Sequence, residues 1–254
     1  MRKLLTEQQN QIFLIILNNP DKHNAFDDEL LKQLDEALDY ALQHPDIRVI
    51  LLKAQGRHFS AGADLAWMQR MVTMSEADNQ ADALKFAKTL HKLYQSSKPT
   101  IALAQGATYG GGIGLLAACD TVFASEQAKF CFSEITLGLI PAVISPYIIQ
   151  AIGAKMALSL FLSAEIFDAH QAQNMQLVQR IVPEADLHSV GFDYAQRISQ
   201  MPPQAVLQAK ALIRQQIPKI DSNLIEDTAK WIAQIRVSKE AQNALHLFLN
   251  RSAG

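Results

Sequence analysis

Residues 98–120, KPTIALAQGATYGGGIGLLAACD, are the stretch whose residue types and spacing most clearly indicate chemistry. They predict a short buried strand, a glycine loop and a helix that begins near Gly110, Gly111 and Gly112. Glycines let a ligand approach the backbone closely, and the first N–H groups of a helix lie at the positive end of its dipole. We therefore expect a group that carries or develops negative charge to bind there.

A glycine loop of this kind also has other uses. Tight packing of a helix on a strand needs no ligand at all. A phosphate-binding loop would end in Gly–Lys–Ser/Thr, which is missing here, and the strand, helix and acidic residue that follow a dinucleotide-binding fingerprint are missing too. The functional use that remains is an oxyanion site, in which backbone N–H groups stabilise a developing negative charge on oxygen.

A second loop, residues 55–65 (QGRHFSAGADL), follows another predicted strand. An oxyanion site needs two donors within about 3 Å of one oxygen. The small-residue turn from Ala61 to Asp64 and the glycine loop both follow buried strands. If those strands are neighbours, each loop supplies one N–H group.

The apolar pattern predicts the elements that position these loops. Continuous apolar runs at 12–17, 49–52 and 100–104 predict buried strands, and residues 177–182 predict a last strand. A helix from about Asp27 has an apolar face formed by Leu30, Leu31, Leu34, Ala37, Leu38 and Ala41. The strand–helix–strand order predicts an α/β fold with right-handed crossovers. Residues 205–216, 223–236 and 239–250 predict three C-terminal helices beyond a boundary near residues 201–203.

Composition limits the class of protein. The 254-residue chain is long enough for a substantial core, and its formal net charge of −2 argues against a broad nucleic-acid surface. Cys119 and Cys131 cannot form a disulfide framework and lack metal-site spacing, so we expect inert buried thiols. The N-terminus has no apolar stretch of signal-peptide length, and no run approaches the length of a membrane span. These features predict a soluble cytoplasmic protein with no membrane partner.

Four segments together resemble the enoyl-CoA hydratase/isomerase family, also called the crotonase family. They are NPDKHNAF near residue 20, FSAGADL at 59–65, residues 98–120, and FSEITLGLIP at 132–141. The resemblance implies an α/β fold: a crotonase-like spiral of ββα repeats over residues 1–200, and a C-terminal helical trimerisation region over 201–254. It implies an acyl-CoA thioester substrate that brings coenzyme A with it, no other cofactor, no metal, and a homotrimer or a hexamer of two trimers.

The resemblance also implies which residues form the site. The N–H groups of Ala63 and Gly111 would hold the thioester oxygen as it becomes an enolate, and Glu134 would be the general base. Ten further positions are expected to bind substrate: Lys22, His23, Ala25, Ala61, Asp64, Leu65, Trp67, Gly110, Gly114 and Pro141. For Lys22 and His23 a solvated surface role, and for Trp67 ordinary core packing, are the alternatives.

Position 114 departs from the family pattern. Family hydratases usually hold a water molecule between two glutamates, and the first of these maps to Gly114, which cannot transfer a proton. Glu134 is then the single inherited carboxylate. That also suits isomerases, in which one carboxylate moves a proton between carbons through a dienolate. A non-catalytic acyl-CoA-binding paralogue is a third alternative.

A narrower resemblance is to bacterial methylglutaconyl-CoA hydratases of leucine breakdown, through SAGADLAWMQRM, LGLIPAVISPY and the GGGxG helix start. It favours hydration of an enoyl-CoA such as 3-methylglutaconyl-CoA. We hypothesise that Gly114 leaves room for the distal carboxylate of that substrate to replace the missing glutamate. Arg70, His58 and Lys85 are the candidate cations for such a carboxylate.

Overall fold

The computed structural model describes residues 2–252. The strands in them are β1 (Leu4–Gln9), β2 (Ile12–Leu17), β3 (Val49–Ala54), β4 (Thr100–Ala104), β5 (Ala107–Tyr109), β6 (Thr121–Ser125), β7 (Lys129–Cys131), β8 (Phe167–Asp168) and β9 (Arg180–Val182). The helices are α1 (Asp28–Gln43), α2 (Leu65–Thr73), α3 (Glu76–Tyr94), α4 (Gly111–Ala118), α5 (Ser145–Ile152), α6 (Ala154–Ser163), α7 (Ala169–Asn174), α8 (Leu187–Ser199), α9 (Pro203–Gln216), α10 (Ser222–Arg236) and α11 (Lys239–Ser252). Short 3-10 turns lie at Pro20–Lys22, Glu134–Leu137 and Glu184–Asp186. In this described part of the chain, no helix is long and apolar enough to cross a membrane.

The larger sheet has the strand order β1-β2-β3-β4-β6-β9. β1 is antiparallel to β2, and the remaining neighbours are parallel. Every residue of β2 and β4 is buried, and nearly all of β3 is buried too. This is the burial expected of parallel strands covered on both faces, so the three apolar runs are confirmed as strands.

A second layer runs beside the larger sheet. β5, β7 and β8 form it, and isolated parallel bridges from Phe26 to Ala63 and from Ser60 to Thr108 extend it toward the N-terminus. The chain thus repeats one pattern: a strand in the larger sheet, a segment in the second layer, then a helix. β4, β5 and α4 form one such unit, and β2, the Phe26 segment and α1 form another. The α/β class with ββα repeats is confirmed.

Local sequence signals explain where the helices near the site begin. The Asp27 side chain caps α1 by accepting a hydrogen bond from Leu30 N, and Asp64 caps α2 by accepting from two backbone N–H groups. Ser75 caps α3 in the same way. The six apolar residues predicted for the inner face of α1 are all buried.

The last predicted strand is shorter than expected. It covers only Arg180–Val182, because the N–H groups of Leu177 and Val178 both turn back to the carbonyl oxygen of Ala172, at 3.0 and 3.2 Å. Apolar side chains at these two positions are buried through that turn and not through pairing in a sheet.

The C-terminal helices pack unequally on the rest of the chain. α10 packs along α3, while α11 contacts α2 and the 3-10 turn Glu134–Leu137. α9 has no buried residue in the part of the chain that the structure describes. The boundary placed between residues 200 and 201 falls between α8 and α9, and a division into two domains there stays a prediction.

Candidate active site

One cavity of about 190 Å³ brings together most of the residues singled out in the sequence. Of the predicted residues, those that line it are Ala61, Ala63, Trp67, Gly110, Gly111, Glu134 and Pro141. Two cavities beside α9 are larger, at about 640 and 660 Å³, but neither is lined by Ala63, Gly111 or Glu134. The residues that line this cavity, and not its volume, therefore identify it as the candidate site. Among residues 2–252, no three His, Cys, Asp or Glu side chains are grouped as a metal site requires.

The backbone at Ala63 presents an N–H group that its neighbours leave free. Phe26 N donates to Gly62 O at 2.8 Å, and Asp64 N donates to Phe26 O at 2.8 Å. Because successive peptide groups of an extended chain point in opposite directions, the N–H group of Ala63 points away from Phe26. It has no acceptor among the described residues. It is therefore available to an oxygen atom in the cavity.

Gly111, the first residue of α4, supplies a second free N–H group. Gly110 N donates to Cys131 O at 3.0 Å, and Ile113 N and Gly114 N turn back to Gly110 O at 2.9 and 3.3 Å. The N–H group of Gly111 has no acceptor in residues 2–252, as is usual in the first turn of a helix. Gly110 makes this start possible, since its φ of 49° and ψ of −117° are rarely adopted by a residue with a Cβ atom.

The glycines at the start of α4 also allow close packing against the loops before it. A Cβ atom on Gly111 would lie 3.0 Å from Phe86 Cζ and 3.4 Å from Phe26 Cδ2. Phe26 is the bridge partner of Ala63, so this contact brings both free N–H groups to one cavity. That is the arrangement an oxyanion site needs, and the action of the two groups on a substrate oxygen stays a prediction.

Glu134 begins the 3-10 turn Glu134–Leu137 and turns its carboxylate toward the start of α4. Its Oε1 would lie 2.9 Å from a Cβ atom on Gly110. Its Oε2 is buried and has no hydrogen-bond partner among the described residues. Burial raises the pKa of Glu134 from 4.5 to about 7, and a hydrogen bond from its own backbone opposes this only in part. A carboxyl group with this pKa can both take up and release a proton near neutral pH.

The expectation that Gly114 leaves room beside Glu134 is wrong. A Cβ atom on Gly114 would overlap Ile144 Cγ2, and it would lie 3.0 Å from Ile144 Cβ and 3.5 Å from Leu90 Cδ1. Ile144 lines the cavity, whereas Gly114 lies behind it and does not. A substrate carboxylate therefore has no space at position 114, and the hypothesis that it replaces the missing glutamate loses its basis.

The other predicted substrate-binding residues lie outside the cavity lining. Lys22 is exposed and donates to Asp64 Oδ2 at 2.7 Å, and this hydrogen bond raises the pKa of Lys22. Ala25 is buried, while His23 and Leu65 are exposed. Ala61 N donates to His23 O at 3.0 Å, so the 20–25 segment is fastened to the loop that carries Ala63. Contact of these residues with coenzyme A stays a prediction.

The cations chosen from the sequence for a distal carboxylate are not in the cavity lining either. Arg70 pairs with Asp28 at the surface, and Lys85 is exposed. His58 Nδ1 accepts a hydrogen bond from Ala107 N at 2.9 Å, and burial lowers the pKa of His58, which favours the neutral ring. Among the described lining residues the cation is Arg236, which the sequence did not single out.

Sequence and structure comparisons agree on what this chain is similar to. A family model described as enoyl-CoA hydratase/isomerase matches residues 7–253. The 2,3-dehydroadipyl-CoA hydratase of Escherichia coli is 33% identical over 217 residues, which cover 85% of this chain and 83% of that protein. A Legionella pneumophila structure assigned as an enoyl CoA hydratase/isomerase (crotonase) is 49% identical, with a TM-score of 0.84 and coverage of 99% and 97% of the two chains. An enoyl-CoA hydratase structure from Shewanella pealeana is 37% identical, with a TM-score of 0.81 and coverage of 98% and 94%.

Glu134 should make the folded protein less stable as pH rises. The folded state holds its proton up to about pH 7 and the unfolded state only to about 4.5, so stability falls between these values by roughly 3 kcal/mol. Glu134→Gln removes the titrating group, so its stability relative to the wild type should increase over that range and be constant outside it. Thermal or denaturant unfolding from pH 4 to 8 measures this, with the exposed Glu165→Gln as control. A difference that does not change with pH would contradict the buried, unpaired carboxylate.

Gly114 and Ile144 should be energetically coupled. Gly114→Ala should destabilise the fold by about 1–3 kcal/mol, because the added methyl group overlaps Ile144. Ile144→Ala removes the overlapping Cγ2, so the double variant should be more stable than the sum of the single effects by at least about 0.5 kcal/mol. Combining Gly114→Ala with Val143→Ala, at the neighbouring lining position, should be additive. Additivity in both pairs would show that Ile144 does not fill this space.

Proposed function

The chain belongs to the enoyl-CoA hydratase/isomerase family and has the crotonase fold, and from that premise we propose that it hydrates 2-enoyl-CoA thioesters with Glu134 as the single acid and base. One observation carries the proposal. Within the described residues, the unpartnered Oε2 of Glu134 shares a cavity with the unpartnered N–H groups of Ala63 and Gly111. A thioester oxygen bound by those N–H groups would place the conjugated carbons of the acyl group beside the carboxylate.

The proposed reaction consists of two proton transfers. The ionised Glu134 takes a proton from water while the water oxygen bonds to C3 of the enoyl group. The electron pair of the C2–C3 double bond moves toward the thioester, whose oxygen becomes an enolate stabilised by the N–H groups of Ala63 and Gly111. The protonated Glu134 then gives its proton to C2, which completes the addition of water and restores the carboxylate. Loss of one oxyanion donor typically costs about 3 kcal/mol of barrier.

One carboxyl group must serve both steps because Ile144 fills the space of a side chain at position 114. A pKa of about 7 suits Glu134 for this double role. Its ionised form is abundant enough at neutral pH to act as a base, and its protonated form is acidic enough to act as an acid.

Isomerisation of a 3-enoyl-CoA to a 2-enoyl-CoA is the second candidate function. The observation that favours it is the apolar Ile144 where a second water-holding carboxylate would stand. Glu134 would take a proton from C2, the N–H groups of Ala63 and Gly111 would stabilise the resulting dienolate, and Glu134 would return the proton at C4. The two functions differ in whether a water molecule is held beside Glu134.

For the acyl group we propose 3-methylglutaconyl, in leucine breakdown. The support is the narrower sequence resemblance and the cavity lining that its segments supply, through Trp67, Met68, Met71 and Pro141. The Escherichia coli relative is named for a different substrate, 2,3-dehydroadipyl-CoA. Coenzyme A enters as part of the substrate, the proposal includes no other cofactor, and we place the reaction in the cytoplasm.

We also propose that the chain assembles as a homotrimer that can pair into a hexamer. On α9, which has no buried residue in the described chain, Leu212 and Ile213 are 55% and 60% exposed. Other apolar side chains that expose more than half of their surface are Leu158, Leu162, Ile166, Met201, Trp231 and Leu247. Exposed apolar surface of this extent favours burial against further copies of the chain.

Activity assays decide between the functions. With crotonyl-CoA and 3-methylglutaconyl-CoA, hydration should bleach the absorbance of the enoyl thioester, whereas isomerisation of a 3-enoyl-CoA would create it.

For hydration, kcat/KM should rise with pH up to about 7 and then level, because the first step needs ionised Glu134. Glu134→Gln should lower kcat by about 100-fold or more.

The exposed Glu165→Gln variant is the matched control and should keep wild-type activity. Full activity in Glu134→Gln would remove Glu134 from its assigned role. No change of absorbance with any of the three substrates would indicate the non-catalytic acyl-CoA binder.

Light scattering should give a mass of about 84 kDa for three chains of 28.1 kDa, or about 169 kDa for six. Leu212→Glu with Ile213→Glu places charges on the exposed face of α9 and should lower the mass at a given concentration. The exposed polar pair Gln215→Glu and Gln216→Glu, on the same helix, is the control. A wild-type mass near 28 kDa at micromolar concentration would overturn the assembly.

A further inference from the structure

Arg236 is a largely buried cation in a cavity that is otherwise mostly apolar. It lies in the last turn of α10, and its side chain is only 12% exposed. Of the described residues that line the cavity, Glu134 and Arg236 are the charged ones. Apolar lining from Trp67, Met71 and Ile232 accompanies them. The site therefore contains a second charged group that takes no part in the proposed proton transfers.

One side of the Arg236 guanidinium is held by the protein. Its Nη1 donates to Asp82 Oδ2 at 3.2 Å and to the carbonyl oxygen of Asn79 at 3.4 Å. The other carboxylate oxygen of Asp82 accepts from Trp67 Nε1 at 3.2 Å. These contacts fasten α10 to α3 and fix the direction of the guanidinium. A purely structural ion pair would explain this side of the group.

The other side of the guanidinium is not explained by the fold. Its Nε is buried without a partner, and no described residue accepts a hydrogen bond from Nη2. A guanidinium has five N–H donors in a rigid plane, and Nε and Nη2 together form the edge that binds both oxygens of a carboxylate. A buried donor that lacks an acceptor costs free energy, so this edge is suited to an acceptor that arrives with a ligand.

The charges around Arg236 are balanced before any ligand binds. Asp82 lies close to Asp28, whose carboxylate pairs with Arg70 at the surface. The two arginines and two aspartates form one charged group, in which Arg236 is paired with Asp82 and Arg70 with Asp28. Arg236 is thus kept in place without substrate, and its free edge adds two strong donors rather than an uncompensated charge.

We propose that the Nε–Nη2 edge of Arg236 binds a carboxylate at the far end of the acyl group, so that the preferred substrates are coenzyme A thioesters of unsaturated dicarboxylic acids. The inference rests on the function proposed above, and it assigns to Arg236 the selection of acyl groups that end in a carboxylate. An acyl chain that ends in a methyl group leaves both donors of this edge unpaired, and a site of that kind rejects the ligand that lacks the acceptor.

The test compares two substrates of equal carbon number, glutaconyl-CoA, which ends in a carboxylate, and 2-pentenoyl-CoA, which ends in a methyl group. For the wild type, kcat/KM for hydration should be at least about 100-fold higher with glutaconyl-CoA. Equal values for the two substrates would overturn the proposal.

The informative variant is Arg236→Met combined with Asp82→Asn, which removes both charges and so leaves neither buried and unpaired. Its kcat/KM should fall about 100-fold for glutaconyl-CoA but should not fall for 2-pentenoyl-CoA, because the unpaired donors that disfavour this substrate are gone. A similar fall for both substrates would show that Arg236 acts only through the structure. Arg236→Lys keeps the charge but loses the planar edge, so it should lose part of the preference, and it serves alone if the double variant does not fold.

Arg70→Met is the matched control, since this arginine belongs to the same charged group but does not line the cavity. It should keep the wild-type preference.

If the wild type hydrates neither substrate, the proposed function fails, and calorimetric binding of glutaryl-CoA against pentanoyl-CoA then tests Arg236 by itself. Tighter binding of glutaryl-CoA that Arg236→Lys weakens would support the carboxylate site, and equal binding of the two thioesters would overturn it.

Discussion

Close packing across missing Cβ atoms is the constraint on which the candidate site depends. At glycines 110–112, a Cβ atom would lie within about 3 Å of Glu134, Phe86 or Ser60, which belong to three different segments of the chain. The start of α4 therefore lies against the 3-10 turn that begins with Glu134, the long helix α3 and the loop after β3. A larger residue at any of these positions would separate the free N–H groups from the carboxylate.

The same packing determines the chemistry available to Glu134. Apolar walls exclude water from Oε2, and this loss of hydration raises the pKa of Glu134 toward neutrality. The cost is a folded state that is less stable when the carboxylate ionises. The extensively buried strands β2, β3 and β4 supply the apolar burial that tolerates this cost. The buried carboxylate therefore lowers the stability of the folded state, and burial of the core compensates for that loss.

Local signals in the sequence were sufficient for the buried strands β2, β3 and β4 and for the loops that carry Ala63 and Gly111. Continuous apolar runs, glycines and caps such as Asp64 act within a few residues of where they stand, so a pattern reveals them. Local signals could not predict that Ile144 fills the space beside Gly114, because Ile144 comes from a different segment of the chain. Arg236 gave no signal beyond a charge near the end of a predicted helix, since its burial depends on how α10 packs along α3.

The lining of the cavity comes from different parts of the chain, since Ala63, Gly111 and Glu134 precede residue 200 and Arg236 follows it. The N–H groups of Ala63 and Gly111 belong to the backbone of the ββα repeats, where glycines 110–112 pack closely against neighbouring segments. Arg236 lies on α10, which contacts the core mainly through α3. If Arg236 binds the end of the acyl group as proposed, a substitution at this position would change which acyl group is preferred. The C-terminal helices are nevertheless not independent of Glu134, because α11 contacts the 3-10 turn Glu134–Leu137.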